Sequence, residues 1–285
     1  MINIIADTLC GIPREQQASL GIPFVGQIII FGDKSYRDDT EIDTPTFLEK
    51  LKVASELPKT AAPPPEDYLP LYRKLAGAGD TAIVITPSAE MSGTFRAAWV
   101  AKQEFPKADI RVIDTRTIAG GLGSIVLQAL DWIKAGWDAD RVEQGINAMI
   151  GRERVYFLVD TLEYLQKGGR IGGAAALVGT VLQIKPILSI QDGLVKPFEK
   201  VRTRKAALLR LKELVETECP RSPNAWLSVS HCEALDTATK MVQEFQEKLG
   251  FKNIPIYEVP PAIVVHGGPN IISVSYYVES KSPAA

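Results

Sequence analysis

Ser92, followed by Gly93 and Thr94, comes six residues after the end of an apolar run at Thr86 and opens a helical pattern that reaches Glu104. A hydroxyl at the head of a helix, beside backbone N–H groups that have no partner within the helix, suits an anion such as a carboxylate or a phosphate. The same serine also reads as an ordinary N-cap. Thr60 stands between Lys59 and the run Ala61-Ala62-Pro63-Pro64-Pro65. Each proline disfavours helix in its predecessor, so Thr60 is expected on a stiff surface connector, where its hydroxyl is either a fixed ligand or a turn residue. Arg170 lies among glycines in Lys167-Gly168-Gly169-Arg170-Ile171-Gly172-Gly173. There the backbone can approach a ligand closely, and a guanidinium can grip an oxyanion with two parallel hydrogen bonds. The run lacks the G-K-[ST] ending of a P-loop, which argues against a nucleotide-phosphate cradle; the plainer account is a helix ending at Gly168 and a loop.

His231 and His266 are the two histidines. His266 lies in Val264-Val265-His266-Gly267-Gly268-Pro269-Asn270, where a strand is expected to meet a Gly-Pro loop, and its imidazole can serve as acid, base, hydrogen-bond donor or structural group. Arg202 follows the expected strand that ends at Val201 and precedes Arg204-Lys205, the pattern of a solvated basic helix start. Two chemistries are open to this set. One is the capture of a small anion; the other is hydrolysis with Ser92 as nucleophile and His266 as its base. Glu90-Met91-Ser92-Gly93-Thr94 lacks the small residue two positions before the serine that a G-x-S-x-G elbow needs, which disfavours the second. With no H-x-x-x-H pair and no His/Cys cluster, no metal site is expected.

The elements that must position these side chains form two styles. Up to residue 151 the chain alternates short apolar strands (Ile2 to Ala6, Gln27 to Phe31, Thr81 to Ile85, Ile110 to Ile113) with helices (Thr44 to Ala54, Pro65 to Ala76, Ser92 to Glu104, Ile118 to Ala135, Asp138 to Ile150). Strands that are continuously apolar, separated by helices, belong to a parallel sheet covered on both faces: a three-layer α/β/α unit. Three of the apolar runs end in Asp-Thr, at Asp7-Thr8, Asp114-Thr115 and Asp160-Thr161, and such strand-to-helix junctions are where open α/β sheets bind ligands. From 152 to 280 the strands Val155 to Val159, Ile187 to Ile190, Leu194 to Glu199, Ala225 to Ser230 and Ile271 to Val278, with helices Thr203 to Glu218 and Leu235 to Leu249, indicate an α+β unit with a mixed sheet. Gln191-Asp192-Gly193 supplies a hairpin turn.

The 285 residues, 46% of them apolar, suffice for two cores, and a formal charge of -2 gives no electrostatic reason to expect nucleic acid as a partner. Cys10, Cys219 and Cys232 have neither C-x-x-C spacing nor an even count, so no disulfide framework is expected. No apolar run approaches the ~18 residues of a membrane span, and the N-terminus lacks the features of a secretory signal, so a cytoplasmic, monomeric protein is expected.

The combination Asp7-Thr8, Ser92-Gly93-Thr94, Asp114-Thr115 and Asp160-Thr161-Leu162-Glu163-Tyr164-Leu165 through Gly168-Gly169-Arg170-Ile171, with Lys185-Pro186, Asp192-Gly193, Arg202-Thr203 and His266-Gly267-Gly268-Pro269, resembles the DegV family of fatty-acid-binding proteins over nearly the whole chain. The resemblance implies a carrier rather than an enzyme. A long-chain fatty acid would lie between or within two domains, its carboxylate held by Thr60 and Ser92, beside Gly93, with Arg170, Arg202 and His266 around the site. It implies no cofactor, and a separate dihydroxyacetone-kinase-like fatty acid kinase as the partner that phosphorylates the bound acid. The small residues between Gly172 and Ile184 would leave room for the tail. Ala61-Ala62-Pro63-Pro64 departs from the Ser-Gln-Pro-Ser type of run usual in that family.

Overall fold

The computed structural model describes residues 1–179 and 184–278. The first half runs β1 (Ile2–Asp7), α1 (Arg14–Leu20), β2 (Phe24–Val25), β3 (Ile28–Phe31), β4 (Lys34–Arg37), α2 (Thr44–Val53), β5 (Lys59–Ala61), α3 (Leu69–Ala78), β6 (Thr81–Thr86), α4 (Thr94–Lys102), β7 (Ile110–Asp114), α5 (Ala119–Lys134) and α6 (Ala139–Met149). The second runs β8 (Glu153–Leu158), α7 (Glu163–Lys167), β9 (Lys185–Gln191), β10 (Leu194–Val201), α8 (Arg204–Glu218), β11 (Ser228–His231), α9 (Leu235–Leu249), β12 (Ile256–Glu258), α10 (Pro261–Gly267) and β13 (Ile272–Tyr277). Residues 180–183 of the small-residue stretch, and 279–280 at the end of the expected second unit, lie outside the described residues.

Four strands in the order β2-β1-β6-β7 form an all-parallel sheet. Alternation along the strands sends Ile4, Ala6, Ile83 and Ile85 to one core with Leu122, Ile125 and Val126 of α5. Ile5, Ala82 and Val84 go to another with Tyr72 of α3 and Ala97, Ala98 and Ala101 of α4. Helices therefore cover both faces, as the apolar strand pattern requires. Local signals fix several helix starts: Asp43 accepts from the Thr46 amide at 2.9 Å, Asp138 from the Arg141 amide at 2.8 Å, and Thr203 from the Ala206 amide at 3.1 Å. Each such cap contributes about 0.5–2 kcal/mol.

A second sheet, in the order β10-β9-β8-β13-β11-β12, is antiparallel except for the β11–β12 pair, so it is mixed as expected. At its β9–β10 turn Asp192 and Gly193 take φ of 53° and 82°, the two positive values of a type I′ hairpin. One face of this sheet packs on α8 and α9 through Tyr156, Leu158, Val229, Val274 and Tyr276. The other contributes Val155, Leu188, Ile190 and Val195 to the core that contains α5. Helix α5 thus lies between the two sheets, touching β1 and β6 on one side and β8, β11 and β13 on the other. Its first turn is glycine because a Cβ on Gly120 would fall 2.7 Å from the hydroxyls of both Ser228 and Ser275.

A small antiparallel sheet, β4-β3-β5, completes the frame. It corrects one expectation: Thr60 lies in β5, opposite Ile29 of β3, rather than on a connector. The Thr60 backbone is extended because β3 offers an edge to pair with. His266 corrects another. Its Val-Val-His run is the end of helix α10, started by Pro261 in the first turn and stopped by Gly268 at φ 77°. The strand expected from Ala225 begins only at Ser228, because Trp226 has φ 50° and residues 223–225 make a 3-10 turn. Among the described residues no helix is long and apolar enough to cross a membrane.

Candidate functional site

Between the parallel sheet and the inner face of the mixed sheet lies a cavity of about 920 Å3, its mouth included. Its walls are apolar: Leu9 after β1, Ile118 ahead of α5, Val155 and Phe157 of β8, Ile190 of β9, Val195 of β10, and Val259 and Ile271 flanking α10. Polar side chains enter it from Gln27, Thr60, Ser92, Arg170, His266 and Ser273. The first of these groups come from the carboxyl-end loops of the parallel sheet, from β5, from the end of α7 and from α10, none of which is adjacent to another in sequence. Five expected site residues, Thr60, Ser92, Gly93, Arg170 and His266, share this wall. Arg202 is not part of it; it is exposed, between β10 and the Thr203 cap of α8.

Hydrogen bonds and one packing contact connect the polar groups. Thr60 Oγ1 lies 2.7 Å from His266 Nε2. The imidazole packs on Gly168, where a Cβ would collide with Nδ1, so only glycine leaves it this position. Arg170 reaches from Gly168 to the Ser92 loop: Nη1 donates to the Gly168 carbonyl at 2.8 Å and Nε to the Met91 carbonyl at 3.1 Å. Among the described residues Arg170 pairs with no carboxylate. Ser92 precedes α4, with Gly93 as the residue between, and its Oγ lies 2.9 Å from Thr94 Oγ1. Ala62, the departure noted after Thr60, packs against Gly93: a Cβ there would come 3.3 Å from the Ala62 methyl.

Behind Ser92 the hydrogen bonds continue into the protein. Thr94 Oγ1 lies 3.2 Å from Asp7 Oδ2, and Gln27 Nε2 donates to both, at 2.6 Å to Asp7 and 3.0 Å to Thr94. Asp7 also accepts from the Leu9 amide at 2.8 Å, the cap that turns the chain after β1. Asp38 lies on the far side, accepting from Thr8 Oγ1 at 2.8 Å and from the Gln27 amide at 2.7 Å, while its Oδ2 is buried without a partner among the described residues. Thr94 is fully buried and Asp7 is 1% exposed.

Burial sets the charges of these groups. It pushes the Asp7 carboxyl up to about 8 and the Asp38 carboxyl up to about 7, each against the stabilising pull of its hydrogen bonds. Burial, and next the charge of Arg170, push His266 down to about 4. The imidazole is therefore neutral near pH 7, and among the described residues its Nδ1 has no hydrogen-bond partner. The cavity thus combines apolar walls with the hydroxyls of Thr60 and Ser92 and with a guanidinium that, among the described residues, pairs with no carboxylate, a combination that suits an anionic head on an apolar body. Among the described residues no group of three or more His, Cys, Asp or Glu side chains could hold a metal ion.

Sequence reasoning missed Gln27 and Thr94, and it read Asp7 as a junction marker only. The signal for Thr94 was present in the Ser92-Gly93-Thr94 triplet. Gln27 carried none, since its partners are 20 and 67 residues away.

Comparison with known proteins agrees with this architecture. Residues 1–279 match the family model described as an uncharacterised protein family, DegV. The DegV domain-containing protein SCO2569 of Streptomyces coelicolor is 34% identical over 275 residues, covering 96% of this chain and 97% of that protein. DegV of Bacillus subtilis, described as a fatty acid binding protein, superposes with a TM-score of 0.88 at 30% identity, covering 98% of this chain and 99% of the other. A Thermus thermophilus DegV family protein, whose structure is described as showing fatty acid binding, gives the same TM-score at 27% identity, with 98% and 99% covered. With sequence and backbone matched along almost the full length of each of these proteins, the chain belongs to the DegV family.

Proposed function

We propose that the cavity holds one long-chain fatty acid between the two units, 1–151 and 152–280, with its carboxylate at Thr60 and Ser92 and its tail along the apolar wall. The observation that supports this reading is the run of contacts Thr60–His266–Gly168–Arg170–Met91, with Ser92 next in sequence, along the wall of a largely apolar cavity. With His266 neutral and its proton on Nε2, the imidazole donates to Thr60 and leaves the threonine proton free for the ligand. Arg170 supplies the counter-charge and Gly93 lets the Ser92 loop lie close to Ala62. Each buried methylene of the tail adds roughly 0.8 kcal/mol, so the chain supplies most of the affinity and the head group fixes its direction. The fatty acid binding described for the Bacillus subtilis and Thermus thermophilus proteins supports the ligand class.

The protein acts as a carrier in the cytoplasm and performs no chemistry itself. Arg202, outside the cavity, faces a dihydroxyacetone-kinase-like fatty acid kinase that phosphorylates the presented carboxylate. The hydrolase alternative needs Ser92 against His266, whereas His266 Nε2 is engaged by Thr60 and Ser92 Oγ by Thr94. No metal or cofactor takes part. Displacement of a fluorescent fatty acid by oleate tests the reading: stoichiometric displacement weakened by Ser92→Ala is expected, and a protein that holds neither probe nor oleate would refute it.

A further inference from the structure

The Asp7-Thr8 pair at the end of β1 is a sequence motif that the carrier reading leaves without a task, and its carboxyl stands directly behind Ser92. The order of contacts is Asp7 Oδ2, Thr94 Oγ1, Ser92 Oγ and then the cavity. A hydroxyl has one proton to give, so this chain has a direction, and the direction is set at its buried end. When Asp7 is ionised it only accepts: Thr94 donates to it, Ser92 donates to Thr94, and the Ser92 proton is spent inside the protein. When Asp7 is protonated its own O–H donates to Thr94, Thr94 donates to Ser92, and Ser92 donates into the cavity. We propose that Asp7 is a positioning residue for head-group recognition: its proton orients the Thr94–Ser92 hydroxyls toward the ligand, so that binding of a carboxylate is coupled to one proton held on Asp7. This rests on the carrier reading and adds to it a proton that Asp7 takes from solvent and holds while the carboxylate is bound.

The surroundings favour the protonated form. The titratable groups facing Asp7 are Asp38 across Gln27, Cys10 in the turn after β1 and Tyr68 ahead of α3. Two of these are acidic or neutral groups whose ionised forms would repel a second charge, and the third, Asp38, is the carboxylate nearest to it. Arg14 donates to the backbone carbonyls of Asp38 and Ile42 rather than to either carboxyl. Gln27, Thr94 and the Leu9 amide, all neutral, are the hydrogen-bond partners of the Asp7 carboxyl among the described residues. A ligand carboxylate arriving near Ser92, even with Arg170 and neutral His266 beside it, adds a further negative charge and raises the proton affinity of Asp7, which by linkage is the same as the proton raising the affinity for the ligand. Ionisation sends the Asp7 proton to solvent and rotates two hydroxyls; no covalent bond to Thr94 or Ser92 oxygen changes.

The test is calorimetric titration with oleate, below its micelle concentration, at about pH 6.5 and about pH 9.5, in buffers of differing ionisation enthalpy; its carboxyl is ionised at both. Wild-type affinity is expected to fall roughly ten- to a hundredfold at the higher pH, the range for one hydrogen bond to a charged group, with proton uptake on binding there. Asp7→Asn, which keeps a donor toward Thr94, should flatten the profile and abolish the uptake. Thr94→Val, which cuts the chain, should bind more weakly and also be flat. A long-chain alcohol, whose oxygen both gives and accepts, should show no pH dependence with wild type. Stoichiometric oleate binding by wild type that is flat in pH and takes up no proton overturns the proposal and leaves the carrier reading standing. Oleate binding by Thr94→Val with the wild-type profile overturns it as well. No oleate binding at any pH removes the carrier reading and the proposal together.

Discussion

Thr60 and Ser92 present two hydroxyls to one cavity, yet what stands behind each differs. Thr60 is backed by a single partner, an imidazole that burial and Arg170 keep neutral. Ser92 is backed by a second hydroxyl and then by a carboxyl that titrates at about 8. The first arrangement holds its donor constant across the physiological range. The second makes its donor conditional on a proton 87 residues away in sequence. The contrast teaches that a hydroxyl's role in a site is decided one or two bonds behind it, where burial fixes which atoms carry protons.

The comparison breaks most visibly when both hydroxyls are removed. Thr60→Val combined with Ser92→Ala should cost more fatty-acid affinity than either single variant, each of which leaves a buried partner unsatisfied at about 1–3 kcal/mol. The sum of the single effects should differ from the double if, as proposed, both donors serve one carboxylate. Competitive displacement of a fluorescent fatty acid measures all three variants.

A second effect concerns folding. The folded-state pKa of Asp7 is raised, so between the unfolded value near 4 and about 8 the native protein holds a proton that the unfolded chain has released. That contribution makes stability fall as pH rises through this window. Asp7→Asn removes it, and the variant should gain on wild type by on the order of 4 kcal/mol at most between about pH 5 and about pH 8. Urea unfolding at the two pH values checks the sign; a constant difference would mean that Asp7 is ionised in the native state.

The relays themselves separate in a smaller effect. Ser92→Ala should cost about 1–3 kcal/mol of binding at about pH 6.5 and much less at about pH 9.5, because wild type has by then lost the same donor. Thr60→Val should cost the same at both. Parallel pH profiles for the two variants would abolish the distinction.

Much of this was legible in the chain and some was not, for physical reasons. Short apolar strands between capped helices announced the parallel sheet, and Asp192-Gly193 announced the hairpin of the mixed sheet, because these signals are local. The strand at Thr60 was hidden because Lys59-Thr60-Ala61 has little apolar content and is extended only by pairing with Ile28 to Ile30. The helix at His266 was hidden because Val264-Val265 favours strands on its own and is overruled by Pro261 and by packing on β3 and α2. Ser92, Arg170 and His266, singled out by residue type and neighbourhood, line one cavity. The carboxyl behind Ser92 was seen only as a strand-end motif, since nothing in the spacing of Asp7, Gln27 and Thr94 shows that they meet.

The smallest expected effect is a control at a distance. Arg202→Ala should change fatty-acid affinity by less than about 0.5 kcal/mol, as surface substitutions away from a site do. In a reconstituted assay with a fatty acid kinase the same variant should lose acyl phosphate formation; retention of full activity would remove Arg202 from the presenting surface.

The central claim, that the cavity carries one fatty acid, is tested most directly by mass spectrometry of the purified protein under native and then denaturing conditions. The account predicts a mass increment of one long-chain fatty acid per chain, released on denaturation and lowered in occupancy in the Thr60→Val, Ser92→Ala double variant. A protein that arrives empty and stays empty when incubated with oleate would contradict it.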